Sequence, residues 1–220
     1  MKIKYLILDM GRVLIEPTTG HWQITPAVVN TISDKDFDYM KLASAMKENG
    51  NILDKKCCTL EEEREIVYEY YKKSFEDIEY DITEDKLNKI VKNFVYEDGK
   101  YYLYDDVREQ LERLSKKYTV IMLSDNWPCS LVFLDRHDIR KYFDKIYISS
   151  VYGVRKRDGV FFDYPINEYD IKPGEALFID DNEGLLDIGV QKGLEVCLMD
   201  RLGKVNESKY KIIHSLSDID

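Results

Sequence analysis

Long apolar runs are missing from this chain. No window approaches the roughly 18 consecutive apolar residues that a membrane-spanning helix needs, so no membrane partner is expected. Cysteine is scarce. Cys57 and Cys58 are neighbours, while Cys129 and Cys197 stand far away, a poor disulfide framework, so a reduced, cytoplasmic protein is expected. The three histidines, His21, His137 and His214, are too widely spaced for a zinc pattern. Positive charge is in deficit, with a formal net charge of −10. Such a surface repels phosphate backbones, so nucleic acid is not expected as a broad-surface partner. A small phosphate ester would need a local positive site. The opening MKIKYLILDMGRVLI has the outline of a signal peptide, but Asp9 and Arg12 cut its apolar run and no small-residue cleavage site follows. Internal repeats and low-complexity tracts are also missing.

What is present reads as alternating strands and helices. With 220 residues, 44% of them hydrophobic, the chain suits one domain of ordinary size or one domain carrying a smaller insertion. Short continuous apolar runs at 3–9, 118–124, 145–149, 175–180 and 194–199 predict buried parallel strands. Helix-like segments at 105–118, 128–138 and 182–193 separate the later ones. In the first of these, Val107, Leu111 and Leu114 recur at helical spacing. This alternation predicts an α/β fold, a doubly wound parallel sheet with helices on both faces.

About a hundred residues separate the first two strands, far more than a strand–helix connection needs. They contain amphipathic stretches at 34–50, 59–78 and 83–96. Thr59 and Thr83 are expected N-caps, Thr59 with Glu62 as a capping box, and Gly50 is an expected helix stop. The division expected is a core of 1–15 plus 97–220 and an inserted helical domain of 16–96. That domain is expected to act as a lid over the tip of the first strand. The clustered tyrosines, Tyr68, Tyr70 and Tyr71 and then Tyr101, Tyr102 and Tyr104, are expected to pack helix surfaces and the domain junction.

Ligands of doubly wound sheets bind beyond the carboxyl ends of the strands. Strand tips here offer Asp9, then Ser124 with Asp125, then Asp180 and Asp181. The loop GVRKRDG at 153–159 adds consecutive basic residues at the same edge. Each alone has an ordinary explanation as a cap, a turn or a solvated face. Together, clustered carboxylates repel one another and call for a cation, and oxygen ligands favour Mg²⁺.

The four segments LILDMGRVL, VIMLSDN, GVRKRD and ALFIDDNEGLLDIG, in that order, resemble the motifs of the haloacid dehalogenase superfamily, in its phosphatase branch with a helical cap after strand one. The resemblance implies that Asp9 attacks phosphorus and carries an aspartyl-phosphate. It implies Mg²⁺ held by Asp9, the Gly11 carbonyl, Asp180 and Asp181, with Lys156 as the second catalytic residue. The expected substrate contacts are Ser124, Asp125 and Arg12, and the expected ligand is a small phosphorylated metabolite, a sugar phosphate first.

The sequence departs from that pattern at Gly11, where most such phosphatases have a second Asp as general acid/base, at Asp125 in place of Asn, and at Arg157 in place of Pro. Three readings remain. The chain is a phosphatase acting on a good leaving group, or helped by another group such as His21. It is a binding protein that has lost catalysis. Or it is a 2-haloacid dehalogenase, which would leave the Asp180–Asp181 pair without a cation.

Overall fold

The computed structural model describes residues 2–32 and 34–220; Met1 and Ser33, which fall within the ranges expected for core and cap, lie outside the described residues. In chain order the elements are β1 (Tyr5–Leu8), β2 (Ile15–Pro17), α1 (Pro26–Thr31), α2 (Tyr39–Glu48), α3 (Leu60–Asp77), α4 (Glu84–Tyr96), β3 (Tyr101–Leu103) and α5 (Val107–Ser115). They continue with β4 (Thr119–Ser124), α6 (Cys129–Arg136), β5 (Lys145–Ile148), α7 (Ser149–Tyr152), α8 (Asp163–Glu168), β6 (Ala176–Asp180), α9 (Glu183–Gln191), β7 (Glu195–Met199) and β8 (Lys211–Ile213). The chain divides into two compact units. One comprises Met1–Glu16, Leu103–Asn126 and Leu134–Asp220; the other comprises Pro17–Tyr102 and Trp127–Phe133.

The first unit is the doubly wound α/β fold. Its six strands run in the order β5-β4-β1-β6-β7-β8, with every pair parallel. The chain moves from β1 outward through β4 to β5, then returns to β6 on the other side of β1. The order reverses between β1 and β6, and the crevice beyond such a reversal is where these sheets bind ligands. Leu6, Ile7 and Leu8 of β1 are fully buried. A central strand covered on both faces has to be apolar throughout, which is why YLIL shows no alternation. Leu8 pairs with Met122 on one side and Ile179 on the other. The next residue, Asp9, therefore leaves the sheet level with the ends of β4 and β6, its amide donating to the Ile179 carbonyl at 3.0 Å.

One face of the sheet packs Ile7, Ile121, Leu123, Tyr147 and Phe178 with Phe161, Phe162 and Leu186. Burying each such side chain contributes about 1.5–3 kcal/mol. Helix α9 lies close to the sheet because Gly189 faces it; a Cβ there would sit 3.1 Å from the Phe178 ring and 3.3 Å from Val196. Strand β8 was not expected from the sequence. It is three residues long at the sheet edge and only Ile213 is buried, so it carries no apolar run. The same brevity hides β2 and β3, which pair as a two-stranded ribbon.

The second unit is helical. Tyr70, Tyr71 and Phe75 of α3 and Ile90, Val91 and Phe94 of α4 pack with Leu42 and Met46 of α2. The Thr59 capping box with Glu62 is present, and Thr83 caps α4. One local expectation needs correction. The stretch at 34–50 becomes helical only at Tyr39. The Asp38 carboxylate takes the amides of Met40 and Lys41 at 3.0 Å each, which fixes the first turn there, while Asp34 closes a separate turn onto Asp36. Gly50 takes the C′ position expected of it, but not the left-handed turn that commonly ends a helix there. Asn49 is the C-cap and the chain tightens into a 3₁₀ segment over Asn49–Asp54, with no positive φ at Gly50. As expected, Tyr70 and Tyr71 serve packing. No described helix is long and apolar enough to cross a membrane.

Candidate active site

The carboxyl edge of the sheet gathers residues that are far apart in the chain. Asp9 follows β1, Asp180 ends β6, and Asp181 is the residue after it. One carboxylate oxygen from each lies within 4.8 Å of the others. Asp180 is fully buried and Asp9 is 7% exposed. Their charges are balanced by Lys156, whose ammonium lies 2.8 Å from Asp9 Oδ1 and 2.5 Å from Asp180 Oδ2.

Local structure explains how Lys156 reaches both. It opens a 3₁₀ turn, Lys156–Asp158, in which the Asp158 carboxylate accepts the Arg155 amide at 2.8 Å. Gly159, at φ +73, ends the turn in a conformation that suits a residue without a Cβ. The Lys156 amide donates to Asp125 Oδ1 at 3.0 Å, so the basic loop is tied to the tip of β4 by its backbone, while the side chain reaches the tips of β1 and β6. Ser124, the last residue of β4, is buried beside it.

The electrostatics follow from burial. Burial alone would push the Lys156 ammonium down, but the carboxylates of Asp180, Asp9 and Asp125 outweigh it and hold its pKa above the ordinary lysine value. Burial pushes Asp180 up; the negative charges of Asp9 and Asp181 push the same way and Lys156 opposes them. Burial also raises Asp181 and Asp125, with the Asp9 charge adding to each. The Asn182 amide donates to Asp180 Oδ1 at 2.9 Å, and the Asn182 side chain caps α9 through the Gly184 amide.

Arg12 takes the left-handed conformation at φ +52, and its guanidinium lies on acidic partners, 3.4 Å from Asp181 and 3.9 Å from Glu16. A substrate anion would share that guanidinium with these carboxylates. Gly11 forms an isolated bridge with Ile15. His21 belongs to the helical unit, where its Nδ1 accepts the amides of Gln23 and Ile24 at 3.2 and 3.0 Å, and burial lowers its pKa. The ring thereby shapes its own loop. Among residues the sequence reading passed over, Ser149 links the loop after β4 to the basic loop. Its hydroxyl accepts the Asn126 amide at 3.1 Å and the Arg155 guanidinium at 3.2 Å. A single serine at the end of β5 carries no signal by which sequence alone would find it.

The donor set fits a hard divalent cation. All three carboxylates offer oxygen, and opposite ligands of an Mg²⁺ ion stand about 4.2 Å apart, twice the ~2.1 Å ligand distance, close to the observed spread. Lys156 and Arg12 together supply two positive charges to Asp9, Asp180 and Asp181. A dianionic group brought against that edge needs more positive charge than this, and a divalent cation among the carboxylates supplies it.

Comparison with known proteins gives this geometry its context. A D-ribitol-5-phosphate phosphatase of Bacteroides thetaiotaomicron is 34% identical over 89 residues, 37% of this chain. The aligned part spans 43% of that relative's length. Among solved structures, the magnesium-bound HAD hydrolase YfnB of Bacillus subtilis superposes with a TM-score of 0.73 at 15% identity, over 99% of this chain and 97% of that one. The L-2-haloacid dehalogenase of Xanthobacter autotrophicus, with chloropropionic acid covalently bound, gives 0.69 at 13% identity, over 98% and 96%. At these identities both show a shared fold. The family model for haloacid dehalogenase-like hydrolases matches residues 3–184, and the chain belongs to that family.

Proposed function

We propose that this hydrolase is an Mg²⁺-dependent phosphomonoesterase that acts on a small phosphorylated metabolite through an aspartyl-phosphate on Asp9. The observation that carries the reading is the meeting of Asp9, Asp180 and Asp181 around one point, with Lys156 bridging the first two. A dehalogenase needs the nucleophile but gives no reason for the two further carboxylates.

In this reading an Asp9 carboxylate oxygen attacks phosphorus and the ester P–O bond breaks, releasing an alkoxide that takes its proton from solvent. Water then attacks the same phosphorus, the Asp9–phosphorus bond breaks, and phosphate leaves with the surplus proton passing to solvent. Lys156 keeps Asp9 oriented through its 2.8 Å contact. Ser124 and the amides beside it bind the phosphoryl oxygens. Asp9, the Gly11 carbonyl, Asp180 and Asp181 would hold Mg²⁺, which supplies charge neutralisation between the attacking carboxylate and the phosphoryl group. Gly11 offers no proton, so the leaving group is one that departs with little help. Anomeric sugar phosphates meet that requirement and come first; the curated relative acts, by its name, on a pentitol phosphate, whose primary alkoxide leaves poorly, so D-ribitol 5-phosphate beside them tests the requirement. The cysteine spacing, a poor disulfide framework, is the reason we assign the chain to a reducing cytoplasm.

The missing carboxylate at position 11 favours a second reading, a binding protein that keeps the site without turnover. Hydrolysis of p-nitrophenyl phosphate and a polyol- and sugar-phosphate panel with Mg²⁺, beside Asp9→Asn, separates the two. Mg²⁺-dependent release of phosphate that Asp9→Asn abolishes supports the enzyme. A folded, metal-binding wild type no faster than Asp9→Asn on any ester leaves the binding protein.

A further inference from the structure

A cation with its side chain almost wholly buried lies outside the chemistry above. Arg201 stands two residues beyond β7, with its side chain 5% exposed. Its Nε and Nη2 both donate to the carbonyl oxygen of Val13, at 3.1 and 2.6 Å. Its Nη1 donates to both oxygens of Asp106, each at 2.8 Å, and its plane lies 4.6 Å over the Tyr104 ring. Asp106 is fixed in turn by the Ser215 hydroxyl at 2.7 Å and the Leu216 amide at 2.9 Å. The guanidinium is thus a rigid fork between an anchored carboxylate and one backbone oxygen, a task its planar geometry suits and an ammonium does not.

That backbone oxygen matters because of where it lies. Val13 is two residues after Gly11, in the tight turn that follows Asp9. Leu14 and Ile15 donate to the Met10 carbonyl at 2.9 and 3.1 Å, and Arg12 donates to the Ile15 carbonyl at 2.7 Å. Arg12 sits inside this turn in the left-handed region, a conformation disfavoured for a residue with a side chain. Such a conformation persists where the surroundings over-determine it. Arg201 is the grip from outside the turn. Tyr104 adds to it, its amide donating to Leu14 O at 3.1 Å and its hydroxyl to Glu16 at 2.6 Å.

We propose that Arg201, anchored by Asp106, is a positioning residue that holds the Met10–Ile15 turn, and so aims the Asp9 carboxylate and the Gly11 carbonyl at a shared cation. The proposal rests on the reading of Asp9 and Gly11 given above. Partners that orient metal ligands from outside the ligand set typically matter by about 10–100-fold in metal affinity or activity, which sets the expected size.

The test compares wild type, Arg201→Met, Arg201→Lys and Asp106→Asn. Three quantities are read: amide hydrogen exchange over residues 9–16, binding of Mn²⁺ alone by electron paramagnetic resonance, and kcat and KM on p-nitrophenyl phosphate. In Arg201→Met, exchange should quicken at 10–16 while β4 and β6 keep wild-type rates. Mn²⁺ affinity and kcat should fall about 10–100-fold with KM little changed, and Arg201→Lys should lie between. Wild-type exchange at 10–16 with wild-type Mn²⁺ affinity overturns the proposal. So does faster exchange spread evenly across the sheet, the mark of a merely structural arginine. If Arg201→Met does not fold, Asp106→Asn decides: it keeps the bonds to Val13 but loosens their anchor, so the same local changes should appear at smaller size, and wild-type behaviour overturns the idea. Exchange and Mn²⁺ binding need no ester, so they decide this proposal even if the wild type hydrolyses none.

Discussion

Replacing Lys156 by alanine should destabilise the α/β unit more than any other single change at the carboxyl edge, and the structure sets the size. Lys156 is the ammonium 2.8 Å from Asp9 and 2.5 Å from Asp180, and all three side chains are at least nine-tenths buried. Removing one partner from a buried ion pair leaves an uncompensated charge and costs about 3–5 kcal/mol. Here two carboxylates are left facing each other, so the upper half of that range applies. For a protein of this length each kcal/mol lowers the melting temperature by about 2–4 °C, so a fall of about 8–20 °C is expected without divalent cations. Mg²⁺ at about 100 times its dissociation constant returns roughly 2.7 kcal/mol, restoring a good part of the loss. The deficit should also depend on pH. Burial and the neighbouring Asp9 charge already raise the pKa of Asp180, and removing the lysine takes away the charge that opposes them. The protonated form of Asp180 then supports the fold at low pH, and that support is lost as pH rises through its folded pKa. Differential scanning calorimetry of wild type and Lys156→Ala, in EDTA and in Mg²⁺, from acid to neutral pH, measures all of this. A variant that melts within about 2 °C of wild type in EDTA at neutral pH, against an expected fall of at least about 8 °C, would refute the claim that Lys156 holds these two carboxylates together.

Other outcomes follow from the same contacts. Gly11→Asp should speed hydrolysis of alkyl phosphates, which need a protonated leaving group, by up to about 10²–10⁴-fold, and p-nitrophenyl phosphate much less; Gly11 has no positive φ to obstruct a side chain, and the ratio of the two rates is the measurement. Thr59→Ala breaks the capping box of α3 and should cost the helical unit about 1 kcal/mol in urea unfolding. Glu63 is fully buried with Oε2 on the Cys129 amide at 2.8 Å and Oε1 without a hydrogen bond. Burial raises its pKa against the opposing Cys129 hydrogen bonds and the Lys100 charge, so its protonated form supports the fold below the unfolded value and that support is lost as pH rises through the folded one. Glu63→Gln should therefore gain stability over wild type as the pH is raised from 4 to 7, and a constant difference across that range would contradict the assignment.

Local chemistry made much of this legible in the sequence. β1, β4 and β6 read as strands because strands covered on both faces must be apolar, and each ends in Asp9, Ser124 or Asp180 because the sheet edge is where a polar group reaches solvent or ligand. Thr59 and Thr83 announced their helices because a cap is a bond between residues three apart. Three-residue strands escaped notice because they are too short to show a pattern, and the start of α2 was decided by Asp38 capturing two amides.

Tertiary structure alone decided the rest. Sequence spacing does not say that Lys156 reaches both Asp9, 147 positions earlier, and Asp180, 24 positions later; parallel strand pairing at β1 and β6 does. It does not say that Arg12 turns toward Asp181, that Trp127–Phe133 packs with the helical unit, or that Arg201 grips Val13 from 188 positions away. Helix, strand and cap signals come from interactions within a few residues, and the chain carries them in its order. Charge pairing and the grip on a turn act through space between segments that only the assembled sheet brings together.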